Sequence, residues 1–196
     1  MNIGTVSGAE MNAAASGTFL LGDLPVTRLG FGAMRITGKG VYGPPENRDE
    51  AIRVLRRAVE LGVNLIDTAE SYGPHISEEL IAEALHPYPE DLVIATKGGF
   101  DRGGPNIWKE NGRPERLREE LEGSLKRLRL ERIDLWQLHR IDPAVPEDEQ
   151  FGTIQDFVRE GLVRHVGLSE TDTAQIERAR KQLTLVSVQN RYNIAD

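Results

Sequence analysis

Short apolar runs and amphipathic helical segments alternate along most of this chain, and this alternation restricts the fold more than any other feature. Six runs have the length and the β-branched composition of buried strands. The predicted strands end near Met34, Asp67, Lys97, His139, Ser169 and Gln189. Helices are predicted between them, at about 48–61, 77–85, 114–128 and 147–160, with a fifth that begins near 171–173. Strict alternation is typical of a doubly wound parallel sheet or of a (β/α)8 barrel.

The glycine pattern and the strand ends distinguish these two folds. A dinucleotide-binding doubly wound sheet needs a G-x-G-x-x-G turn after its first strand. The segment that starts at Gly30 has Arg35 in place of the third glycine. Polar residues follow nearly every strand, which favours a barrel because all its strand ends face one mouth. The sequence therefore predicts an α/β fold, namely a (β/α)8 TIM barrel of which about six βα units are present.

The predicted barrel domain spans residues 18–196 and begins with a β-hairpin around Gly22 and Asp23. Residues 1–17, rich in Ala, Ser, Gly and Asn, are predicted to form a flexible tail. A chain of 196 residues is long enough to bury one substantial core.

Composition excludes several classes of function. The net charge of −7 and the lack of a long basic stretch argue against a nucleic-acid partner. The absence of cysteine excludes disulfides, Cys-ligated zinc and thiol catalysis, and fits a cytoplasmic location. No apolar run approaches the ~20 residues that span a bilayer, and no secretion signal is recognised, so no membrane partner is expected.

Four polar residues that follow predicted strands form the strongest functional pattern. Asp67, Lys97 and His139 each end an apolar run, and Tyr72 lies in the loop that leaves the strand of Asp67. Because the carboxyl ends of parallel strands meet at one mouth, these side chains are expected to lie together and to form a proton-transfer centre. Each also has a structural interpretation when taken alone: a turn cap for Asp67, a packed loop aromatic for Tyr72, a solvated strand end for Lys97 and a polar rim group for His139.

Six segments resemble the aldo-keto reductases in their order and spacing. They are residues 30–34, 67–73, 94–97, 138–139, 167–169 and 188–190. The resemblance covers about residue 18 to the C-terminus, and the leading hairpin also fits the family. A narrower resemblance, at 40–45 and 72–75, is to a bacterial branch that includes pyridoxal reductases.

The resemblance implies an NAD(P)H-dependent oxidoreductase that reduces an aldehyde or ketone to an alcohol. Hydride transfer to a carbonyl puts negative charge on its oxygen, and Tyr72 would act as the general acid. The Lys97 ammonium is expected to lower the pKa of the Tyr72 phenol from its usual value near 10, and Asp67 to hold Lys97. His139 would donate a hydrogen bond to the substrate carbonyl. Nothing in this chemistry requires a metal.

The resemblance also implies the cofactor site and the substrate. The implied contacts with the cofactor are from Gly32, Ala33, Met34, Asp67, Ser169, Glu170 and Gln189. NADP(H) is expected, with NAD(H) as the alternative, and the substrate is a small carbonyl compound for which pyridoxal is a candidate. Glu170 departs from the family, which usually has Asn there, because a carboxylate cannot donate to the cofactor carboxamide oxygen.

The length of the chain conflicts with a whole barrel. A (β/α)8 barrel takes ~250 residues, and this chain ends just after its sixth predicted strand. The sequence is therefore interpreted as C-terminally incomplete, without the segment that holds the adenosine 2′-phosphate in the family. Two unpaired sheet edges predict self-association. Two functional classes follow: a carbonyl reductase, or a non-catalytic relative that binds a nucleotide or a protein.

Overall fold

The computed structural model describes residues 12–195, which form a parallel sheet flanked by helices and two small hairpins. The helices are α1 (Arg48–Glu60), α2 (Ile76–Leu85), α3 (Pro114–Leu128), α4 (Glu147–Arg159) and α5 (Thr173–Ala179). The strands are β1 (Thr18–Leu21), β2 (Leu24–Thr27), β3 (Phe31–Gly32), β4 (Leu65–Asp67), β5 (Val93–Gly98), β6 (Phe100–Gly104), β7 (Ile107–Glu110), β8 (Ile133–Leu138), β9 (Val163–Ser169) and β10 (Leu185–Gln189).

Six strands form one parallel half-barrel sheet in the order β10-β9-β8-β5-β4-β3. The register places Asp67 opposite Gly32 on one side and opposite Ala95 on the other, so the carboxyl ends of β3, β4 and β5 lie at one edge. In the part of the chain that the structure describes, β3 and β10 pair on one side only.

The helices begin and end where local residues satisfy the backbone. At α1 the Asn47 side chain accepts a hydrogen bond from the Glu50 N–H, and the chain leaves the helix at Gly62 with φ 85°. The apolar face of α1 buries Ile52 and Leu55 against the sheet. Complete burial of a leucine such as Leu55 is worth about 1.5–3 kcal/mol, so this face fixes the helix on the sheet.

The hairpin of β1 and β2 closes the end of the sheet at which the strands begin. Leu21, Leu24 and Val26 of the hairpin pack in one apolar cluster with Val93 and Leu135 of the sheet. The Asp23 carboxylate at its turn accepts from Arg164 and His165, each at 2.6 Å. The arginine, followed by the histidine, lowers the pKa of Asp23 to about 2. The loops that follow the strands lie at the opposite end of the sheet.

Three segments differ from the sequence prediction. The first strand ends at Gly32 rather than near Met34, because a 3₁₀ turn over Ala33–Ile36 directs two apolar side chains into the core. The segment Phe100–Glu110, which lies between the predicted strand that ends near Lys97 and the helix predicted at 114–128, forms the antiparallel β6–β7 hairpin. Of the predicted flexible tail, residues 1–11 lie outside the described residues. Of the remaining tail residues, Ala13–Ser16 form a 3₁₀ turn whose Ala13 N–H donates to the Leu61 carbonyl, a local structure that the sequence did not indicate, and the flexibility of the tail stays a prediction.

None of the helices within residues 12–195 is long and apolar enough to cross a membrane.

Candidate active site

The carboxyl edge of the sheet brings together the four residues that the sequence singled out. Asp67 is the last residue of β4, Lys97 lies near the end of β5, and His139 directly follows β8. Tyr72 reaches the same place from the loop after β4. The parallel register of β4, β5 and β8 puts their strand ends side by side, and backbone hydrogen bonds from Thr68 and Glu70 to β5 hold the loop after β4 beside them.

Lys97 is the centre of the group. Its side chain has no exposed surface, and its ammonium donates to Asp67 Oδ2 at 2.8 Å, to the Thr68 carbonyl at 2.9 Å and to Tyr72 Oη at 3.5 Å. These three acceptors match the three N–H groups of an ammonium, so the buried charge is fully hydrogen-bonded. The arrangement links an acid, an ammonium and a phenol in one chain of contacts.

Gln137 is a member of the site that the sequence analysis missed. It lies opposite Lys97 in the β5–β8 register, and its amide donates to Asp67 Oδ1 at 3.3 Å. Both carboxylate oxygens of Asp67 therefore accept a hydrogen bond, Oδ1 from Gln137 and Oδ2 from Lys97. The signal for this role is the strand register, which places position 137 beside position 97 only once the sheet order is known.

The acidity of Tyr72 corrects one expectation from the sequence. Burial raises the pKa of the Tyr72 phenol above 10, and this effect exceeds the opposing effect of the Lys97 ammonium. The side chain is 7% exposed, so removal of water weakens the phenolate more than one cation at 3.5 Å stabilises it. The phenol is therefore neutral at physiological pH and holds a proton that it can donate.

His139 is neutral as well. Burial, followed by the positive charges of Lys97, Arg140 and Arg102, lowers its pKa well below 6.5. Its Nδ1 lies 3.3 Å from Ser71 Oγ. If the serine hydroxyl donates to Nδ1, the ring carries its proton on Nε2 and can donate from there, which is the tautomer that suits a neutral hydrogen-bond donor.

A cavity of about 450 Å³ opens beside Tyr72 and His139. Its wall is aromatic: Phe100 lies edge-on to the His139 ring at 4.7 Å between centroids, and Trp108 lies edge-on to Tyr72 at 6.3 Å. The remaining lining residues are Met34, Glu110, Arg140, Ser169, Glu170 and Gln189. The wall also contains Glu110 of the unpredicted β6–β7 hairpin and Arg140, which directly follows His139; neither was among the site residues predicted from the sequence.

The residues assigned to the cofactor divide into two groups. Ser169 and Gln189 are paired in register on β9 and β10, and with Met34 and Glu170 they line the cavity. Asp67 is held in the Lys97 contact, and Gly32 has open space where a Cβ would lie. Ala33 is completely buried in the core, so its side chain does not face the cavity.

Glu170 occupies a strained backbone position at φ 52°, and its carboxylate accepts from the Arg191 N–H at 2.9 Å. Ser169 Oγ lies 3.3 Å from the Arg140 guanidinium. The carboxylate thus already accepts from the backbone, while Ser169 and Glu170 both belong to the cavity wall.

Comparison with known proteins gives one consistent result. The model of the aldo/keto reductase family matches residues 28–196. An uncharacterised oxidoreductase of Schizosaccharomyces pombe is 49% identical over 98% of this chain and 62% of its own length. Pyridoxine 4-dehydrogenase of Escherichia coli is 43% identical over 92% of this chain and 65% of its own length. The chain thus spans somewhat less than two thirds of these curated relatives.

Solved structures show the same relationship. The glycerol dehydrogenase AKR11B4 of Gluconobacter oxydans superposes with a TM-score of 0.84 at 34% identity, over 93% of this chain and 57% of that one. The aldo-keto reductase AKR11C1 of Bacillus halodurans gives a TM-score of 0.78 at 30% identity, over 89% and 57% of the two chains. The resemblance that the six sequence segments indicated is confirmed: the chain belongs to the aldo/keto reductase family.

Proposed function

We propose that this protein is an NAD(P)H-dependent reductase that converts an aldehyde or ketone to an alcohol, with Tyr72 as the general acid. The observation that carries the proposal is the continuous contact from Asp67 through Lys97 to Tyr72, beside neutral His139, on the wall of one cavity. We also propose that the six parallel strands are six of the eight strands of a (β/α)8 barrel, which the similarity to the solved relatives supports.

The residues present fit a nicotinamide cofactor. Ser169 and Gln189 offer hydroxyl and amide groups on neighbouring strand ends, which are the groups that a carboxamide needs. The open space at Gly32 leaves room for a ligand close to the backbone. When bound there, the cofactor supplies the hydride. NADP(H) is proposed as the form used, on the basis of family membership.

The chain's own residues account for the proton and the charge. His139 donates a hydrogen bond from its neutral ring and orients the carbonyl oxygen toward Tyr72. Tyr72 gives its phenolic proton to the oxygen as negative charge develops there. The Lys97 ammonium then stabilises the phenolate that remains, and Asp67 keeps the ammonium in place. Phe100 and Trp108 exclude water from one side of the reacting group.

A small aromatic aldehyde is the proposed substrate, with pyridoxal as the first candidate. The aromatic wall and the volume of about 450 Å³ suit one ring, and a bacterial relative is named pyridoxine 4-dehydrogenase. The non-catalytic alternative is not favoured, because a relic site would have no reason to keep Lys97 buried and fully hydrogen-bonded to its neighbours.

The proposal is tested by the Tyr72→Phe variant with pyridoxal, 4-nitrobenzaldehyde and a sugar aldehyde, each with NADPH and NADH. Loss of a general acid should lower kcat by about 10²-fold or more while cofactor affinity changes little. Tyr88→Phe is the matched control, since it removes another partly buried hydroxyl, one that donates to the Leu128 carbonyl at 2.7 Å. Activity of Tyr72→Phe close to that of Tyr88→Phe would exclude Tyr72 as the acid, and a preference for the sugar would exclude pyridoxal.

A further inference from the structure

Arg102 lies in the β6–β7 hairpin, and within residues 12–195 the hydrogen bonds of its side chain all go to backbone carbonyls. Its guanidinium donates to acceptors in three separate segments: Gly40 at 3.2 Å and Val41 at 2.8 Å, Ser71 at 2.5 Å, and Gly104 at 3.4 Å and Ile107 at 3.0 Å. Within residues 12–195 no carboxylate forms an ion pair with it. A planar fork of N–H groups can bridge three loops in this way, whereas an ammonium, with its three donors at one point, cannot.

The same guanidinium lies on the face of Trp108. Its central carbon is 3.5 Å from the ring centroid, well within the range of a cation–π contact. Trp108 also lines the cavity, where it lies edge-on to Tyr72 at 6.3 Å and to His139 at 6.2 Å. Trp108 therefore contacts both Arg102 and the residues of the proposed acid–base centre.

The carbonyl that Arg102 contacts at Ser71 leads directly into that centre. Ser71 Oγ lies 3.3 Å from His139 Nδ1, and the next residue is Tyr72. The loop that carries both groups also meets the segment at Val41, through the Gly73 N–H and the Val41 carbonyl at 3.3 Å. One guanidinium thus contacts the hairpin, the loop after β3 and the loop after β4 at the point where they border the cavity.

We propose that Arg102 is a positioning residue, which holds the Trp108 indole against the cavity and fixes the loop of Ser71 and Tyr72, so that the aromatic wall is set before a substrate binds. Its charge is suited to this task because it is satisfied entirely by dipoles of the loops that it joins. The consequence for turnover rests on the proposed reductase function; the consequence for the position of Trp108 does not.

The position of Trp108 can be measured without any activity. The chain has two tryptophans, and the other, Trp136, is completely buried and packs against Phe157 at 5.6 Å. Collisional quenching by acrylamide, which is uncharged, therefore reports Trp108, and the Trp108→Phe variant measures the remaining signal of Trp136. Arg102→Met and Arg102→Lys are compared with Arg53→Met, a control in which an exposed arginine of α1 is changed in the same way.

Arg102→Met should raise the quenching constant about threefold, since the indole loses the group that covers one face, and Arg102→Lys should give an intermediate value. Arg53→Met should equal the native protein. Unchanged quenching in Arg102→Met would overturn the proposal. A similar rise in the Trp108→Phe background would also overturn it, because it would show loosening of the core rather than release of Trp108.

Turnover supplies the second measurement. Arg102→Met should raise the KM for an aromatic aldehyde about tenfold. The KM for a two-carbon aldehyde, which does not reach the aromatic wall, should rise less, and the pH profile should not change. Equal effects on both aldehydes would remove the role in substrate positioning while the quenching result stands. Absence of turnover in the native protein with every aldehyde would count against the reductase function and not against the position of Trp108.

Discussion

The ion pair of Asp67 and Lys97 allows a quantitative test of how the site is held together. Its partners lie 2.8 Å apart, with side-chain exposures of 21% and 0%. At an effective dielectric constant of about 20, unit charges at this distance attract by about 6 kcal/mol. Much of this attraction only offsets the loss of hydration of the two charges, so the intact pair adds little to the free energy of unfolding. Removal of one member, however, leaves a buried charge without its partner.

Each single substitution should therefore lower the free energy of unfolding strongly, and the double substitution should lower it by less than the sum of the two. Lys97→Met leaves Asp67 with the Gln137 amide and partial hydration, and should lower the free energy of unfolding by about 3 kcal/mol. Asp67→Asn leaves the buried ammonium with neutral acceptors only, namely the amide oxygen, the Thr68 carbonyl and Tyr72, and should cost about 4 kcal/mol. The double variant removes both charges and should be more stable than the sum of the two predicts, by about 2 kcal/mol or more.

Urea unfolding followed by circular dichroism gives these values, provided that the dependence on urea has the same slope in all four proteins. The matched control is the exposed pair of Arg118 and Glu160, whose two hydrogen bonds of 2.7 and 2.9 Å are as short as that of the buried pair. Its coupling should be much smaller, because water screens it and the side chains are free to move. Additive effects at Asp67 and Lys97, within about 0.5 kcal/mol, would show that the contact in the site has no special energetic role.

Three further measurements probe other parts of the molecule. Burial lowers the pKa of His139 well below 6.5, so its ring signals in NMR should show no protonation midpoint above pH 6, and its contribution to the free energy of unfolding should fall as the pH drops below 6.5; a midpoint above pH 6 would contradict this. Burial, with the nearby Glu70 charge, raises the pKa of Glu120 from 4.5 to about 9, so the folded state keeps a proton that the unfolded state loses. The contribution of Glu120 to the free energy of unfolding should thus decline by up to about 4 kcal/mol between pH 5 and pH 8, opposite in sign to that of His139 below pH 6.5. The quantity to measure is therefore the difference in free energy between the native protein and Glu120→Gln at each pH, and a difference that does not change with pH would refute the assignment. Within the described residues β10 is an edge strand with Val188 42% exposed, so sedimentation should show association that rises with concentration and that Val188→Lys weakens, whereas a monomer at all concentrations would exclude this surface.

The strand ends of the site could be predicted from the sequence because they depend on local pattern and on one topological rule. A buried β-branched run followed by a polar residue fixes where β4, β5 and β8 end, and parallel strands then bring Asp67, Lys97 and His139 to one edge. The rest depends on partners that are distant in sequence. Gln137 joins the site through the strand register, and Arg102 through carbonyls of loops 31 to 62 positions away.

The β6–β7 hairpin was missed for a related reason. Its turn at Pro105 and Asn106 contains ordinary loop residues, and its strands bury few side chains, so they lack the apolar pattern of the main sheet. The prediction of a lowered pKa for Tyr72 was wrong because the sequence shows the neighbouring Lys97 and does not show that the phenol is buried. Only the packed structure shows that loss of hydration outweighs Lys97.

Backbone hydrogen bonds extend the sheet beyond its strand ends and so set the geometry of the candidate site. The Thr68 N–H donates to the Ala95 carbonyl at 2.8 Å, the Glu70 N–H to the Lys97 carbonyl at 3.0 Å, and the His139 N–H to the Gly98 carbonyl at 2.8 Å. Strand β5 is thus the common reference for the loop of Tyr72 on one side and for His139 on the other. Because these bonds involve main chain only, substitution of the proposed catalytic side chains should leave them in place. Changes in rate that follow such substitutions can then be attributed to the lost functional group rather than to a displaced loop.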